Sequence, residues 1–224
     1  MAPAKEIGEC LITVGEDDYF FRPSFANMMR IGDPQEIVQS FYDLHNDEVM
    51  PLMQRAVEAY GAIPNWLIEH VKRSTYGRNG IHAAMNILAG CCDCDVTPLI
   101  GEYVPGKTGR RTMLLRPGAM DAFSMMAIAQ SLITHGIIGK AKVRQLQRHE
   151  TGQAVTEFRA FDYINAARNH FGISREEAEK LTMTEFQMLL AAKFPEQKGF
   201  TKEEYDSIEN AHIARQARRL AKKN

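Results

Sequence analysis

Residues 171–190, with the sequence FGISREEAEKLTMTEFQMLL, carry the pattern that decides the fold of this chain. The stretch and its continuation place a hydroxyl residue three positions before a glutamate three times: Ser174 with Glu177, Thr182 with Glu185, and Thr201 with Glu204. In such a capping box the hydroxyl accepts a hydrogen bond from a free N–H of the first helical turn, and the carboxylate accepts one from the N–H of the cap residue. The pattern therefore predicts three successive helices.

Apolar residues follow the second cap at helical spacing and suggest a surface for a partner. Phe186 and Leu190 are four positions apart, so they lie on one side of the helix. An apolar stripe of this kind serves internal packing more often than an interface. We expect Phe186 to be internal and the neighbouring Gln187 and Met188 to face outward toward a partner. The candidate partner-binding residues are Leu181, Phe186, Gln187, Met188, Leu189 and Leu190.

The rest of the chain is predicted to be mainly α (α+β), with one or two small β-hairpins. Residues 11–14 and 19–22 form the first predicted hairpin, around an acidic turn of four residues. Residues 99–104 and 112–115 form the second, joined by a loop rich in glycine and proline. Helical spacing and caps predict helices after Ser24 and Asp33 and over residues 49–60, from Pro64, 81–88, 120–132 and 154–170.

A basic segment between residues 140 and 153, broken by Thr151 and Gly152, is the predicted domain boundary. It separates a mostly helical N-terminal domain with β-hairpins, residues 1–140, from a C-terminal helical subdomain, residues 154–224. Because the segment has little apolar content, we expect a protease to cut it first.

Composition excludes several classes of protein. Apolar residues make up 45% and charged residues 25% of the chain, which is typical of a globular fold. The net charge of −1 gives no field that attracts nucleic acid or an anionic membrane. The basic C-terminal end, residues 215–223, is explained by the favourable placement of cations at a helix C-terminus. No apolar run approaches the ~20 residues of a membrane-spanning helix, and the N-terminus is not expected to be a signal peptide.

One segment matches the phosphate-loop pattern G-x-x-x-x-G-K-[ST] letter for letter, at Gly101–Thr108. A working phosphate loop needs a buried strand before it and a helix directly after it. The residues that follow, 109–117, break or extend the chain instead. A hairpin turn is therefore the preferred interpretation, and a nucleotide-binding protein is an alternative that we reject at this point.

Three of the four cysteines, Cys91, Cys92 and Cys94, lie too close together for a simple disulfide framework. A reducing cytosol is the expected setting. Structural zinc sites combine two ligand pairs, and only one cluster exists here, so buried structural cysteines are preferred and metal binding is left undecided. The seven histidines show no catalytic or metal-binding spacing. We therefore predict no catalytic residues, no cofactor and no enzyme.

The order of residues 171–186 resembles a recurrent helical signature of tail assembly chaperones of long-tailed bacteriophages. Segments of the front part are similar to uncharacterised proteins encoded among phage tail genes: residues 22–25 (RPSF), residues 31–38 (IGDPQEIV), the pair Cys91 and Cys92, and residues 135–140 (HGIIGK).

The resemblance implies a non-enzymatic chaperone in the host cytoplasm that binds the tape-measure protein, tail tube subunits or both during tail assembly. Such a protein needs adaptable apolar surfaces, which the twelve methionines are suited to supply. A permanent structural component of the phage tail or neck is the alternative. The sequence leaves open whether the chain forms a homo-oligomer.

Overall fold

A computed structural model describes residues 2–45, 49–106, 113–141 and 156–194. These residues form a mainly α structure with two small antiparallel sheets of two strands each, which confirms the predicted fold class. The helices are α1 (Phe25–Met29), α2 (Pro34–Leu44), α3 (Val49–Tyr60), α4 (Asn65–Arg73), α5 (Thr75–Cys91), α6 (Thr97–Ile100), α7 (Ala122–Ile133), α8 (Ala160–Phe171), α9 (Arg175–Glu179) and α10 (Met183–Lys193). The strands are β1 (Cys10–Val14), β2 (Asp17–Phe21), β3 (Glu102–Pro105) and β4 (Met113–Arg116).

The chain divides into two compact units, Met1–Leu189 and Leu190–Asn224. The first unit includes α8 and α9, whereas the sequence predicted a division between residues 140 and 154. In the second unit the described residues are 190–194, where the Phe194 N–H bonds to the Leu190 carbonyl at 2.8 Å. That the region after residue 154 behaves as a separable subdomain stays a prediction.

Helix α5 is the centre of the first unit and packs against α1, α2, α4 and α7. Ten of its residues are buried, including Ile87 and Leu88, which are fully enclosed. The helix begins six residues before the predicted start at residue 81, because Ser74 caps it by accepting a hydrogen bond from the Gly77 N–H at 3.0 Å. None of the helices in the described ranges is both long enough and apolar enough to cross a lipid bilayer.

The first hairpin is present, but its turn is shorter than predicted. Val14 pairs with Asp17, so the turn contains Gly15 and Glu16 alone and the acidic residues Asp17 and Asp18 belong to β2. Gly15 has a φ of 64°, a left-handed conformation that tight hairpin turns require. The prediction of a four-residue acidic turn was therefore wrong, because a glycine in the left-handed region closes the hairpin earlier.

The second hairpin is also present, with β3 and β4 paired from Glu102 opposite Arg116 to Pro105 opposite Met113. Its predicted first strand began too early. Leu99 and Ile100 are buried in the short helix α6, which has proline near its start. Gly101, with a φ of 86°, separates that helix from β3.

Helix α8 begins at Ala160, six residues after the predicted start at residue 154. Residues 156–159 are not helical. The Phe158 N–H bonds to the carbonyl of Pro34 at 2.9 Å, and the Phe158 side chain is buried. A contact distant in sequence therefore holds this segment against the start of α2 in place of a helical turn.

Helix caps at other predicted positions are confirmed. Ser24 accepts a hydrogen bond from the Asn27 N–H at 3.2 Å, and Pro34 stands at the first turn of α2.

Four sequence predictions lie outside the described residues: the Thr201–Glu204 cap, the basic end, most of the basic segment 140–153 and the loop from residue 107 to 112.

Candidate functional site

The candidate site is built around the start of α10, where the predicted caps are confirmed. Ser174 and Glu177 exchange hydrogen bonds at 3.2 and 2.9 Å, as a capping box requires. Thr182 and Glu185 do the same at 3.1 and 2.8 Å. The two boxes fix where α9 and α10 begin, and hence which α10 residues face inward.

Phe186 lies in a cluster of aromatic rings between α1, α8 and α10. Its ring centroid is 6.1 Å from Phe25, 5.9 Å from Tyr163 and 6.0 Å from Phe171. All three pairs are edge-to-face, an arrangement that adds to the free energy of apolar burial. The complete aromatic cluster is Phe25, Phe158, Tyr163, Phe171 and Phe186. Phe186 is thus internal, as expected from its place in the stripe.

Arg22 joins the end of β2 to the start of α10. Its guanidinium makes two hydrogen bonds to the Glu185 carboxylate, at 3.0 and 3.1 Å, and it also pairs with Glu9. A further hydrogen bond, from Nε to the Lys180 carbonyl, measures 3.0 Å. Glu9 is 8% exposed, so Arg22 neutralises a carboxylate with little access to water. Next to this group, the Phe25 N–H bonds to the Leu181 carbonyl at 2.9 Å.

A buried histidine forms the second connection to α10. Helix α7 continues into a π-helical turn at Thr134–Ile138, and the Nδ1 atom of His135 lies 2.8 Å from the Thr184 hydroxyl. The same hydroxyl accepts a hydrogen bond from the Lys140 N–H at 3.1 Å. The Thr184 hydroxyl either donates to Nδ1, with the ring proton on Nε2, or accepts from Nδ1–H and donates to the His135 carbonyl 3.5 Å away. Burial lowers the pKa of His135, and the nearby Lys140 ammonium lowers it further.

The side chain of Gln187 also connects α10 to the π-helical turn that follows α7. Its Nε2 atom donates to the Ile138 carbonyl at 2.6 Å, while Oε1 is buried and accepts no hydrogen bond from the described residues. Gly139 faces this amide with a φ of 81° and a ψ of 157°, a conformation that is nearly exclusive to glycine. A Cβ at position 139 would overlap the Gln187 side chain.

The six candidate partner-binding residues therefore divide into different environments. Phe186 is buried, Gln187 is half-buried and bonded to Ile138, and Leu181 is half-buried. Met188 and Leu189 are exposed by 46% and 40%, and Ile138, beside Gln187, is exposed by 50%. Leu190 is half-buried and belongs to the second unit. We call Ile138, Met188 and Leu189 the α10 surface.

A separate cavity lies between the end of α5 and the second hairpin. It has a volume of about 300 Å³ and is lined in part by Cys94, His82 and Tyr103. The rings of His82 and Tyr103 are 5.8 Å apart, and Asn86 Nδ2 lies 3.4 Å from His82 Nδ1. This volume is at the lower limit of small-molecule sites.

The cysteines beside this cavity differ from the prediction of three buried structural thiols. Cys91 and Cys92 are each 1% exposed, whereas Cys94 is exposed to solvent. The reason is local: α5 ends at Cys91, and the chain then turns outward through Asp93 before Val96 is buried again. Among the described residues, no group of three or more His, Cys, Asp or Glu side chains is placed to hold a metal ion.

The segment that matches the phosphate-loop pattern has a different local structure from a phosphate loop. Residues 102–105, which occupy the middle of the pattern, form β3 and pair with β4. The hairpin predicted for this segment is confirmed over these strands.

A family model matches residues 21–207 of the chain. The chain belongs to DUF6246, a family of unknown function. No curated protein and no solved structure matches it. The matched range includes Arg22, His135, the caps of α9 and α10 and the cavity, so both candidate regions of this DUF6246 chain lie inside it. The family description names no activity, so the similarity to tail assembly chaperones stays a hypothesis.

Several contacts of the site were not predictable from local patterns. Arg22 and Glu185 are 163 positions apart, and His135 and Thr184 are 49 apart. No spacing rule connects residues at such separations. The segments 22–25 and 135–140 did stand out in the sequence, because they carried the resemblance to phage tail proteins. Both segments contact the first turn of α10, through Arg22 to Glu185 and through Lys140 to Thr184.

Proposed function

We propose that this protein is a non-enzymatic tail assembly chaperone of long-tailed bacteriophages. It binds apolar segments of the tape-measure protein, tail tube subunits or both in the host cytoplasm. The observation that supports this proposal is the α10 surface. Met188 and Leu189 are exposed on a helix whose first two turns are fixed by other contacts, and Ile138 is exposed at the end of the π-helical turn that Gln187 contacts.

Rigid support matters for such a surface because a binding site that is already ordered loses less conformational entropy on association. Thr184, Glu185 and Gln187 are each bonded to a residue distant in sequence. Methionine suits a surface that accepts varied helical segments, since its side chain is flexible and polarizable. An amphipathic client helix would place its apolar face on such residues.

The proposal is tested by co-expression with the tape-measure protein encoded by the same phage. The double variant Met188→Ser/Leu189→Ser removes the apolar side chains of α10. Its matched control is Met29→Ser/Leu52→Ser, because Met29 and Leu52 are exposed by 41% and 48% on other helices. We expect the wild type and the control to keep the tape-measure protein soluble and to co-purify with it, and the α10 variant to lose both properties.

Equal capture by the α10 variant and its control would remove the α10 surface from the mechanism. Recovery of the chain in purified virions at a fixed copy number would instead favour a permanent structural component of the tail or neck. The two results are independent, because the first measures binding during assembly and the second measures retention afterwards.

A further inference from the structure

Two thiols at the end of α5 are in direct contact. Cys92 Sγ and Cys94 Sγ are 3.0 Å apart, and both residues are free cysteines. A disulfide bond measures about 2.05 Å, so a small movement of the side chains would join the two sulfurs. The single residue between them, Asp93, directs its carboxylate to solvent and pairs with Arg30 at 2.8 Å.

The backbone around these thiols is fixed by the rest of the fold. The carbonyl of Cys91 accepts a hydrogen bond from the Arg22 N–H at 2.9 Å. The carbonyl of Cys92 accepts one from the Arg30 guanidinium at 2.9 Å, and Cys92 forms an isolated β-bridge with Phe21. These contacts hold the backbone of Cys92 in place, and with it one of the two sulfurs.

The two thiols differ in their access to small molecules. Cys94 is exposed and lines the cavity of about 300 Å³, whereas Cys92 is 1% exposed behind it. Burial, followed by the hydrogen bond with the Cys94 thiol, raises the pKa of the Cys92 thiol to about 11. The thiolate is the reactive form of cysteine, and the buried Cys92 forms it less readily than a free cysteine does. The exposed Cys94 therefore reacts first with a molecule that enters the cavity.

We propose that Cys92 and Cys94 form a redox-active dithiol whose substrates are small organic disulfides that reach Cys94 through the cavity. The Cys94 thiolate attacks one sulfur of the disulfide RSSR, which gives a mixed disulfide at Cys94 and releases one RS⁻. That thiolate takes the proton of Cys92. The Cys92 thiolate then attacks Cys94 Sγ, closes the intramolecular disulfide and releases the second RS⁻, which takes the proton that Cys94 gave up.

The overall reaction is balanced. The protein dithiol loses two hydrogens and two electrons, and RSSR becomes two RSH. An excess of RSH reverses both steps. Closure is favoured over a persistent mixed disulfide because the two sulfurs are already held together, which gives the second step a high effective concentration.

The test uses the full chain and 2-hydroxyethyl disulfide as the probe. After reaction, free thiols are alkylated and a tryptic digest is analysed by mass spectrometry. All three clustered cysteines fall in the peptide of residues 79–107, so fragmentation between Cys91 and Cys92 assigns the bond. We expect a disulfide between Cys92 and Cys94, with Cys10 and Cys91 alkylated, and full reversal by dithiothreitol.

Three variants sharpen the result. Cys92→Ala should accumulate a stable mixed disulfide at Cys94, because the resolving thiol is gone. Cys94→Ser should leave Cys92 alkylated, since the buried thiol does not meet the probe. Cys10→Ser is the matched control and should close like the wild type, because half-buried Cys10 is not in contact with another described thiol.

Three results would overturn the proposal: a mixed disulfide at Cys94 that persists in the wild type, a bond between Cys91 and Cys92, or reaction of Cys92 in the Cys94→Ser variant. If Cys92→Ala fails to fold, the wild type and Cys94→Ser still decide the question. Cys94 is exposed, so its replacement by serine should be tolerated.

Discussion

The two sides of α10 differ in what they contact. The inward side carries Phe186 in the aromatic cluster and Thr184 on buried His135. The outward side carries Met188 and Leu189, which remain 46% and 40% exposed. Large apolar side chains therefore lie on both sides of the helix, but only the inward one is buried. We expect the inward contacts to contribute much more to the stability of the fold than the outward side chains do.

The largest expected effect is on the inward side. Phe186→Ala should lower the free energy of unfolding by about 3–5 kcal/mol, because it leaves a cavity among the rings of Phe25, Tyr163 and Phe171. For a chain of this size the melting temperature should fall by about 6–20 °C. Phe123→Ala is the matched control. Because Phe123 is 43% exposed, this variant should lose little of its free energy of unfolding. Equal losses in both variants would show that the cluster does not hold α10 in place.

A smaller effect is expected at Gly139, which faces Gln187. Gly139→Ala should cost about 1–3 kcal/mol, because the backbone conformation is strained for alanine and the new methyl group displaces the Gln187 amide. Gly172→Ala is the comparison variant: Gly172 has open space around it and lies in the left-handed helical region, where alanine is less strained than at Gly139.

A double-mutant cycle separates the two causes at Gly139. In the background of Gln187→Ala, the cost of Gly139→Ala should fall to the part that comes from backbone strain, because the overlap with the amide is gone. An unchanged cost, measured by chemical denaturation, would assign the whole effect to the backbone.

These contacts show how far the sequence could predict the site. The caps Ser174 and Thr182 were predictable because a capping box joins residues three positions apart. The burial of Phe186 followed from its helical spacing. The ring partners of Phe186, from Phe25 to Phe171, were not predictable, since tertiary contacts have no local spacing.

The predictions of the first hairpin turn and of the start of α8 were wrong for related reasons. The acidic residues suggested a turn at positions 15–18, but Gly15 closes it within two residues and leaves Asp17 paired with Val14. The helical spacing before Ala160 was overridden by the hydrogen bond of Phe158 to Pro34. The cavity beside Cys94 is likewise built from three separate elements, so the cysteine spacing alone did not reveal it.

A third prediction concerns pH and the buried histidine. The pKa of His135 is lowered in the folded chain, so the unfolded chain binds the proton more readily. The stability that neutral His135 contributes is therefore complete above the unfolded pKa of about 6.5 and is lost as pH falls through the lower folded pKa.

We expect melting temperatures measured between neutral pH and pH ~5 to fall more for the wild type than for His135→Gln, which does not titrate in this range. His82→Gln is the matched control, because it makes the same exchange at an exposed histidine. Identical pH profiles for His135→Gln and the wild type would show that other groups cause the loss.

The smallest effect on stability is expected on the outward side of α10. Met188→Ser and Leu189→Ser should each change the free energy of unfolding by no more than about 0.5 kcal/mol, because partly exposed side chains away from buried contacts contribute little. A second copy of the chain covering these residues would give a different result: the melting temperature of the wild type would rise with protein concentration, and both variants would lose that dependence. Chemical denaturation at two protein concentrations, with size-exclusion chromatography, distinguishes the cases. A loss above about 2 kcal/mol at every concentration would place both residues in the packed interior, and the contrast between the two sides of α10 would then be wrong.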